Sequence, residues 1–331
     1  MQTDSRLEQL NHWLSSELDI QNYIIEPAST DASFRRYFRI TKNNDTWIAM
    51  DAPPDKENCQ PFVHIATMIE AAEVQAPHIF HWNKAQGFML LSDLGSEPYL
   101  NALTDDSAEN LYTDAMDALV KMQDLKNNIP DYDQSLLQLE MSLFEEWYLQ
   151  QHFDIHLNTE QKQTLQSVIN LLTDNALQQP QVFVHRDYHS RNLMITEQSN
   201  PGVIDFQDAV NGAITYDPVS LLKDCYIAWP RQRIIKWLNY FRINSPLSNS
   251  IDEQTFIRWF DLMGLQRHLK VLGIFCRLNY RDNKSNYLND LPLTLAYVID
   301  VCQRYDELRP LTDLMHSLNI NVDQEIMDKI K

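Results

Sequence analysis

Several residue types and patterns are scarce in this sequence, and each shortage excludes a class of protein. Its 331 residues include six glycines, the first at position 87, so a glycine-rich loop near the N-terminus is excluded. The four cysteines, at positions 59, 225, 276 and 302, form no CxxC pair. That spacing excludes a zinc ribbon and argues against a disulfide framework.

Positive charge and long apolar runs are scarce too. Lys and Arg number 27 against 46 Asp and Glu, a net charge of −19, whereas binding to nucleic acids or anionic membranes needs a basic surface. No run approaches the roughly 18–20 apolar residues of a membrane span. The polar N-terminus, "MQTDSRLEQLNHWLSSEL", lacks the basic start and apolar centre of a signal peptide. We therefore expect a cytoplasmic protein that binds neither nucleic acid nor membranes, and we infer no obligate protein partner.

The first 95 residues read as strands and turns around one helix. The β-type runs "YFRIT" (37–41) and "TWIAM" (46–50) flank "KNND", whose composition favours a hairpin turn. Residues 62–74 have the apolar spacing of a helix, and "HIFHW" and "GFMLLSDLG" read as two more strands. A chain of 331 residues is long enough for two lobes. We place the boundary near Gly95 and expect an N-terminal lobe over 1–95.

The remaining residues, 96–331, read as a larger and mainly helical lobe. Amphipathic helices are predicted over 105–125, near 136–152 and after Thr159, which we read as an N-cap. Strands return briefly as "VFVH", "LMI" and "GVIDF", and beyond Asp217 nearly everything has helical spacing. The expected fold class is α+β, with a small antiparallel sheet in the first lobe and mainly helices in the second.

Polar residues that could carry chemistry concentrate in the loop "VHRDYHSRNLMI" (184–195) and in "GVIDF". His185, Asp187 and His189 would share a face as metal ligands if a strand continued through them. The segment "RDYHSRN" reads as a loop instead, and the other histidines show no paired ligand spacing. Both observations argue against a zinc hydrolase.

Transfer of a phosphoryl group fits the same loop better. Asp187 suits the carboxylate that accepts the proton of an attacking hydroxyl, and Asn192 and Asp205 suit oxygen ligands of magnesium. Each of these residues alone could merely cap a turn. The ordered set HxDxHxxN, an apolar strand and then IDF favours the catalytic interpretation over the structural one.

At these residues the sequence resembles the protein-kinase-like family of small-molecule phosphotransferases, which includes aminoglycoside and choline kinases. His185, Asp187 and Asn192 match the family's HxDxxxxN loop, and Asp205 with Phe206 matches its metal-binding DF motif. The resemblance implies a two-lobed fold, ATP bound in the cleft with Mg²⁺, and catalytic and metal roles for Asp187 and for Asn192 and Asp205. It also implies that Asp217 steadies the catalytic loop from the start of a helix.

The sequence departs from that family at the nucleotide site. The segment "TDASFRRYF" stands where a glycine-rich loop is usual, so Ser33 is the candidate phosphate cap. The expected ATP-binding lysine position falls near Met50, and Arg35 or Arg39 is the candidate replacement. Both arginines could instead be surface residues. The segment "LLSDLG" resembles the hinge, where backbone groups near Ser92 and Leu94 would meet the adenine.

The segments "DASFRRYFR", "MDAPP", "IDFQDA" and "LKVLGIFCRLNYRDNKSNYLNDLP" resemble more closely the bacterial anomeric kinases of cell-wall recycling. That resemblance implies ATP-dependent phosphorylation of the C1 hydroxyl of N-acetylmuramate and N-acetylglucosamine. His189, Asp224 and Arg277 are the candidate sugar contacts. Arg277, four residues before Arg281, could instead belong to a solvated pair.

Two other functions stay open on the sequence. One is phosphorylation of an aminoglycoside or another small alcohol, which the acidic composition supports. The other is a catalytically weak pseudokinase that serves as a binding protein, which the missing lysine and glycines favour and the intact Asp187, Asn192 and Asp205 oppose.

Overall fold

The computed structural model describes four stretches of the chain: residues 4–30, 34–125, 128–197 and 199–331. All four cysteines are buried free thiols, in agreement with the expectation of no disulfide framework. Within the described stretches, no helix combines the length and the apolar character that crossing a membrane requires.

The chain divides into two compact units. One unit comprises Met1–Pro98 and Leu193–Asp208, and the other comprises Tyr99–Asn192 and Ala209–Lys331. The segment Leu193–Asp208 therefore belongs to the first unit, although it lies far beyond Gly95 in the sequence.

The first unit is built on a five-stranded antiparallel sheet in the order β1-β2-β3-β5-β4. Its strands are β1 (Ile24–Thr30), β2 (Arg36–Lys42), β3 (Asp45–Asp51), β4 (Ile79–Asn83) and β5 (Phe88–Ser92). The predicted hairpin is confirmed as β2–β3, and the two strands predicted after the first helix are β4 and β5. Strand β1 was not predicted.

The turn of the β2–β3 hairpin depends on Asn43, whose φ is 57°. Asparagine tolerates this left-handed conformation better than most residues, because its short side chain can hydrogen-bond locally. The conformation explains why a chain poor in glycine can still make a two-residue connection between these strands.

One face of this sheet is covered by helix α1 (Ser5–His12) and the π-helical turn Trp13–Glu17 that continues it. Leu10, Trp13 and Leu14 pack there on side chains that alternate along the strands, including Phe38 and Ile40 of β2. The alternation leaves Tyr37 and Arg39 on the other face. Helix α2 (Gln60–Ala71) and the two-stranded pair β7 (Leu193–Met194) and β8 (Gly202–Val203) complete the unit.

The second unit is mainly helical, as the sequence predicted. It contains ten helices over its described residues: α3 (Tyr99–Ala102), α4 (Ala108–Met122), α5 (Gln134–Leu143), α6 (Thr159–Leu177), α7 (Tyr216–Leu222), α8 (Arg231–Asn244), α9 (Glu253–Tyr280), α10 (Leu291–Arg304), α11 (Arg309–Ser317) and α12 (Gln324–Ile330). A π-helical segment, Phe144–His152, extends α5, and short 3₁₀ segments span Ser285–Asp290 and Asp306–Leu308. Strands β6 (Gln181–Val184) and β9 (Val210–Ala213) pair antiparallel.

One detail of the predicted helices is wrong. The N-cap of α6 is Asn158 rather than Thr159, and Asn158 forms a reciprocal capping box with Gln161. An asparagine oxygen accepts the N–H of the third helical residue, while the glutamine side chain accepts the N–H of the cap itself. Thr159 is therefore the first residue inside the helix.

Helix α9 is the central element of the second unit. It packs against α5, α6, α7 and α10, and its buried positions lie on all sides of the helix. At Gly273 a Cβ would lie 2.4 Å from the carbonyl carbon and oxygen of Leu143. Only glycine allows the backbones of α5 and α9 to approach so closely.

A buried carboxylate on α9 holds several neighbouring segments together. Asp261 is fully buried and accepts hydrogen bonds from Lys223, Arg231 and the hydroxyl of Tyr305 at 2.7–2.9 Å. Burial acts to raise the pKa of Asp261, but the two cations outweigh it and hold the pKa well below the ordinary value. Asp261 is therefore ionised and paired at neutral pH.

Candidate active site

The polar loop between β6 and β7 is anchored by an aspartate at the start of α7. Asp217 accepts the backbone N–H of His185 at 2.6 Å and that of Arg186 at 3.0 Å. Burial raises the pKa of Asp217 to about 7, and the two N–H bonds partly offset this effect. The steadying role that the family resemblance implied for Asp217 is thus present in the structure.

Three hydrogen bonds within the loop place Asp187 and Asn192. The backbone N–H of Asp187 donates to Nδ1 of His185 at 3.2 Å, and the backbone oxygen of Asp187 accepts from Nδ2 of Asn192 at 3.0 Å. The N–H of Asn192 donates to the carbonyl of His189 at 2.9 Å. Because the amide nitrogen of Asn192 is used inside the loop, the ligand atom that this side chain would offer a cation is Oδ1.

Asp187 is kept ionised by neighbouring positive charge. Burial acts to raise the pKa of its carboxyl, but the charges of Lys270 and Arg267 outweigh burial and lower the pKa. Burial in turn lowers the pKa of His189. At neutral pH the site therefore combines a carboxylate that can accept a proton with a histidine that is mostly neutral.

Asp187 lines a pocket in the second unit. The empty space of the pocket, including its open mouth, is about 410 Å³. Its walls come from the loop, from the start of α7, from the segment that follows α7 and from α9: Asp187, His189, Tyr216, Asp224, Cys225, Tyr226, Arg267, Lys270, Val271, Ile274 and Phe275. The carboxylate of Asp187 thus lies in the wall of a small pocket that opens to solvent.

Two of the three predicted sugar-contact residues line this pocket. Asp224 is held by the N–H and hydroxyl of Ser190 and by the N–H of Tyr226. The ring of His189 meets the ring of Tyr226 edge-on, with centroids 5.3 Å apart. Arg277 is not among the pocket's wall residues, and its role in sugar binding stays a prediction.

The sequence reasoning missed two cations in the pocket wall, both on α9. Lys270 lies 3.1 Å from Glu140 and donates to the hydroxyl of Tyr216 at 3.0 Å. Arg267 is 4% exposed and donates to the thiol sulfur of Cys225 at 3.8 Å. Charged residues at buried positions of a helix without a polar face were the available signal, because such charges need a partner or a ligand.

The predicted magnesium ligand of the first unit, Asp205, follows strand β8. Its φ is 65°, and its Oδ1 accepts from Nε2 of Gln207 at 2.9 Å. The next residue, Phe206, is fully buried, with its ring centroid 5.0 Å from that of Phe62 on α2. The phenylalanine thus anchors the segment that carries the carboxylate.

The two candidate replacements for the nucleotide-binding lysine are both paired within the first unit. Arg35 is largely buried and lies 3.2 Å from Glu57. Arg39 donates to both oxygens of Asp93, at 2.6 and 2.9 Å, and to the carbonyl of Gly95. Neither is a solvated surface arginine.

The remaining nucleotide-site predictions concern three residues. The N–H of Ser92 donates to the carbonyl of His78, and its hydroxyl accepts the N–H of the same residue. Leu94 is buried against Gly202. Ser33, the predicted phosphate cap, lies outside the described residues.

The zinc-hydrolase interpretation finds no support in the geometry. Over the parts of the chain that the structure covers, no group of three or more His, Cys, Asp or Glu side chains is arranged to hold a metal. Magnesium differs in this respect, since it is commonly held by one or two carboxylates together with substrate phosphates.

The first unit contains an antiparallel sheet and the second is mainly helical, with an aspartate-bearing loop that is held from the start of a helix. Together these features define a protein-kinase-like phosphotransferase. Residues 24–246 match the phosphotransferase enzyme family, and the chain belongs to that family. It is 42% identical to an N-acetylmuramate/N-acetylglucosamine kinase of Pseudomonas aeruginosa, covering 96% of this chain and 98% of the relative. A kinase with the same name from Neisseria meningitidis is 38% identical over 93% of this chain and 95% of the relative.

Solved structures agree on the fold. A choline kinase from Streptococcus pneumoniae superposes with a TM-score of 0.61 at 12% identity, covering 88% of this chain and 98% of the other. An aminoglycoside 2′-phosphotransferase IIIa bound to GDP gives a TM-score of 0.62 at 14% identity, covering 90% and 98%. At such identities the likeness concerns the fold alone.

Proposed function

We propose that the chain is an ATP- and magnesium-dependent kinase that phosphorylates the C1 hydroxyl of N-acetylmuramate and N-acetylglucosamine in the cytoplasm, for peptidoglycan recycling. The observation that carries the proposal is the 42% identity, over nearly the full length, to a kinase named for those two sugars. The small pocket beside Asp187 supports it, because the pocket offers an acceptor site next to a carboxylate.

Asp187 is the proposed general base. The C1 oxygen of the sugar attacks the terminal phosphorus of ATP, the new O–P bond forms, and the bond to the bridging oxygen of ADP breaks. The proton of the sugar hydroxyl passes to the carboxylate of Asp187. Such proton acceptance contributes about 10²–10⁴-fold in rate. The lowered pKa of Asp187 keeps the carboxylate available for this step at neutral pH.

Asn192 and Asp205 are the proposed magnesium ligands. An amide oxygen and a carboxylate oxygen are hard ligands that suit this ion, and the use of the Asn192 nitrogen inside the loop fits that assignment. When bound, magnesium neutralises phosphate charge that develops during transfer. The two residues hold their positions through the loop bonds of Asn192 and through the Phe206 anchor beside Asp205.

Residues of the first unit are proposed to bind ATP. Arg35 or Arg39 supplies positive charge to the triphosphate, backbone groups near Ser92 and Leu94 meet the adenine, and Ser33 caps a phosphate. The ion pairs of Arg35 with Glu57 and of Arg39 with Asp93 support this role, because they hold the two guanidinium groups in fixed positions. His189 and Asp224 are the proposed sugar contacts in the pocket of the second unit.

The test measures ADP release by the purified protein with Mg²⁺, ATP and a panel of amino sugars and aminoglycosides. We expect release with N-acetylmuramate and N-acetylglucosamine and none with their 1-O-methyl glycosides, which lack the accepting hydroxyl. Asp187→Asn should lower kcat by about 10²–10⁴-fold with little change in Tm. The matched control is Asp174→Asn, an exposed position on α6. Turnover of the methyl glycosides would refute the anomeric site, and full activity of Asp187→Asn would refute the base.

A further inference from the structure

The two cations of the pocket wall differ in how their charge is balanced. Lys270 has a carboxylate partner, Glu140, at 3.1 Å. Arg267 has no ion pair within 4 Å among the residues that the structure describes, although it is only 4% exposed. The carboxylates of Asp187 and Asp224 act on it electrostatically without forming an ion pair with it.

The donors of Arg267 are also poorly satisfied. A guanidinium carries five N–H donors in a planar fork, and a thiol is a weak acceptor. Among the described residues, the single hydrogen-bond acceptor that Arg267 meets is the sulfur of Cys225, at 3.8 Å from Nη1. Nε of Arg267 is buried and meets no acceptor in the described residues. A buried guanidinium in this condition is costly unless a ligand supplies oxygen acceptors.

The other residues of the pocket wall restrict the kind of ligand that could pair with Arg267. Both pocket carboxylates have assigned partners: Asp224 accepts three hydrogen bonds, and Asp187 is the proposed base. Neither carboxylate of the pocket wall forms an ion pair with Arg267 in the described residues, so a bound molecule can supply the acceptors that the guanidinium lacks. The best match for a planar fork of donors is a pair of anionic oxygens, which accept two parallel bonds.

We propose that Arg267 binds the carboxylate of the acceptor sugar and so sets the preference for N-acetylmuramate over N-acetylglucosamine. This inference rests on the proposed function. The two sugars differ by the lactyl group on O3, whose carboxylate N-acetylglucosamine lacks. Arg277, the arginine that the sequence analysis named as a candidate sugar contact, lies ten residues further along the same helix.

The test compares kcat/KM for N-acetylmuramate and for its neutral lactyl amide, which keeps the shape and removes the charge. We expect the wild-type protein to favour the acid by about 10- to 100-fold, as for a hydrogen-bonded charged group. In Arg267→Met that preference should fall to about one. The loss should appear in the ratio of the two KM values rather than of the two kcat values, because the contact forms before the reaction and persists through it.

Three further variants make the result specific. Arg267→Lys keeps the charge without the fork and should retain part of the preference. Arg258→Met removes an exposed arginine from the same helix and should leave the preference unchanged. Arg277→Met tests the alternative position: loss of the preference there, with Arg267→Met unaffected, would overturn the proposal.

Other outcomes are equally decisive. A wild-type protein that uses acid and amide equally well would refute the proposal even if Arg267→Met failed to fold. If kcat in Arg267→Met fell equally for N-acetylmuramate and for its amide, the guanidinium would act on the transferred phosphoryl group instead. If neither sugar is phosphorylated by the wild-type protein, the proposed function fails and this inference with it.

Discussion

Replacing Asp261 with asparagine tests whether one buried carboxylate organises the second unit. The substitution keeps the shape of the side chain and removes its charge. Lys223, whose side chain is 2% exposed, then keeps its positive charge without a carboxylate at 2.9 Å. Arg231 and Tyr305 lose the same acceptor.

The magnitude follows from the burial of this cluster. Removing one partner of a buried ion pair costs about 3–5 kcal/mol, because the remaining charge stays desolvated. At about 2–4 °C per kcal/mol for a unit of this size, Tm should fall by about 6–20 °C. Calorimetry and urea unfolding of wild type and Asp261→Asn measure both quantities.

Two controls separate this cause from a general sensitivity of α9. Arg281→Met breaks an exposed ion pair with Asp282 at the C-terminal end of α9, and such pairs contribute about 0–1 kcal/mol. The double variant Asp261→Asn with Lys223→Met should recover part of the loss, because it removes the uncompensated charge. A loss below about 1 kcal/mol in Asp261→Asn, or no recovery in the double variant, would show that the reasoning is wrong.

Two further predictions concern acid stability and the catalytic loop. The pKa of Asp261 in the folded protein lies below its unfolded value, near 3.9, so its contribution to stability is complete above that pH and is lost as the pH falls through the folded pKa. The difference in unfolding free energy between wild type and Asp261→Asn should therefore shrink below about pH 4. A difference that grows there would contradict the assignment. In Asp217→Asn the single amide oxygen can accept from only one of the two backbone N–H groups of His185 and Arg186. We expect stability to fall by about 1–3 kcal/mol and kcat to fall by about 10- to 100-fold, because Asp187 is misplaced. An unchanged kcat in steady-state kinetics would refute the anchoring role.

Local signals in the sequence sufficed for most of the fold. The alternation in β2 and β3 and the helical spacing along α4 and α6 are periodic patterns that survive without knowledge of tertiary contacts. Strand β1 was missed because Pro27 interrupts its pattern, and proline is tolerated there since β1 is an edge strand. The π-helical continuations of α1 and α5 have no periodic signature of their own.

Some residues of the candidate site could likewise be predicted from local sequence signals, and others could not. Asp187, Asn192 and Asp205 stand at fixed spacings around short strands, so a motif identifies them. Arg267 and Lys270 carry no motif and reach the pocket only because α9 runs through the middle of the second unit, with neighbours on all sides. Their location depends on packing between helices that are far apart in sequence, which a pattern within one helix does not contain.

The first unit is built from two separate stretches of the chain, which affects both its folding during synthesis and any attempt to produce it alone. The strand pair β7–β8 supplies Val203, whose N–H donates to the carbonyl of Gln75 at 2.7 Å, and the segment after it supplies Phe206 against Phe62. A gene shortened after Pro98 would encode the five-stranded sheet and omit these contacts. On the ribosome, the first unit likewise cannot be completed until Asp208 has emerged, and by then the whole first stretch of the helical unit, Tyr99–Asn192, has already been synthesised.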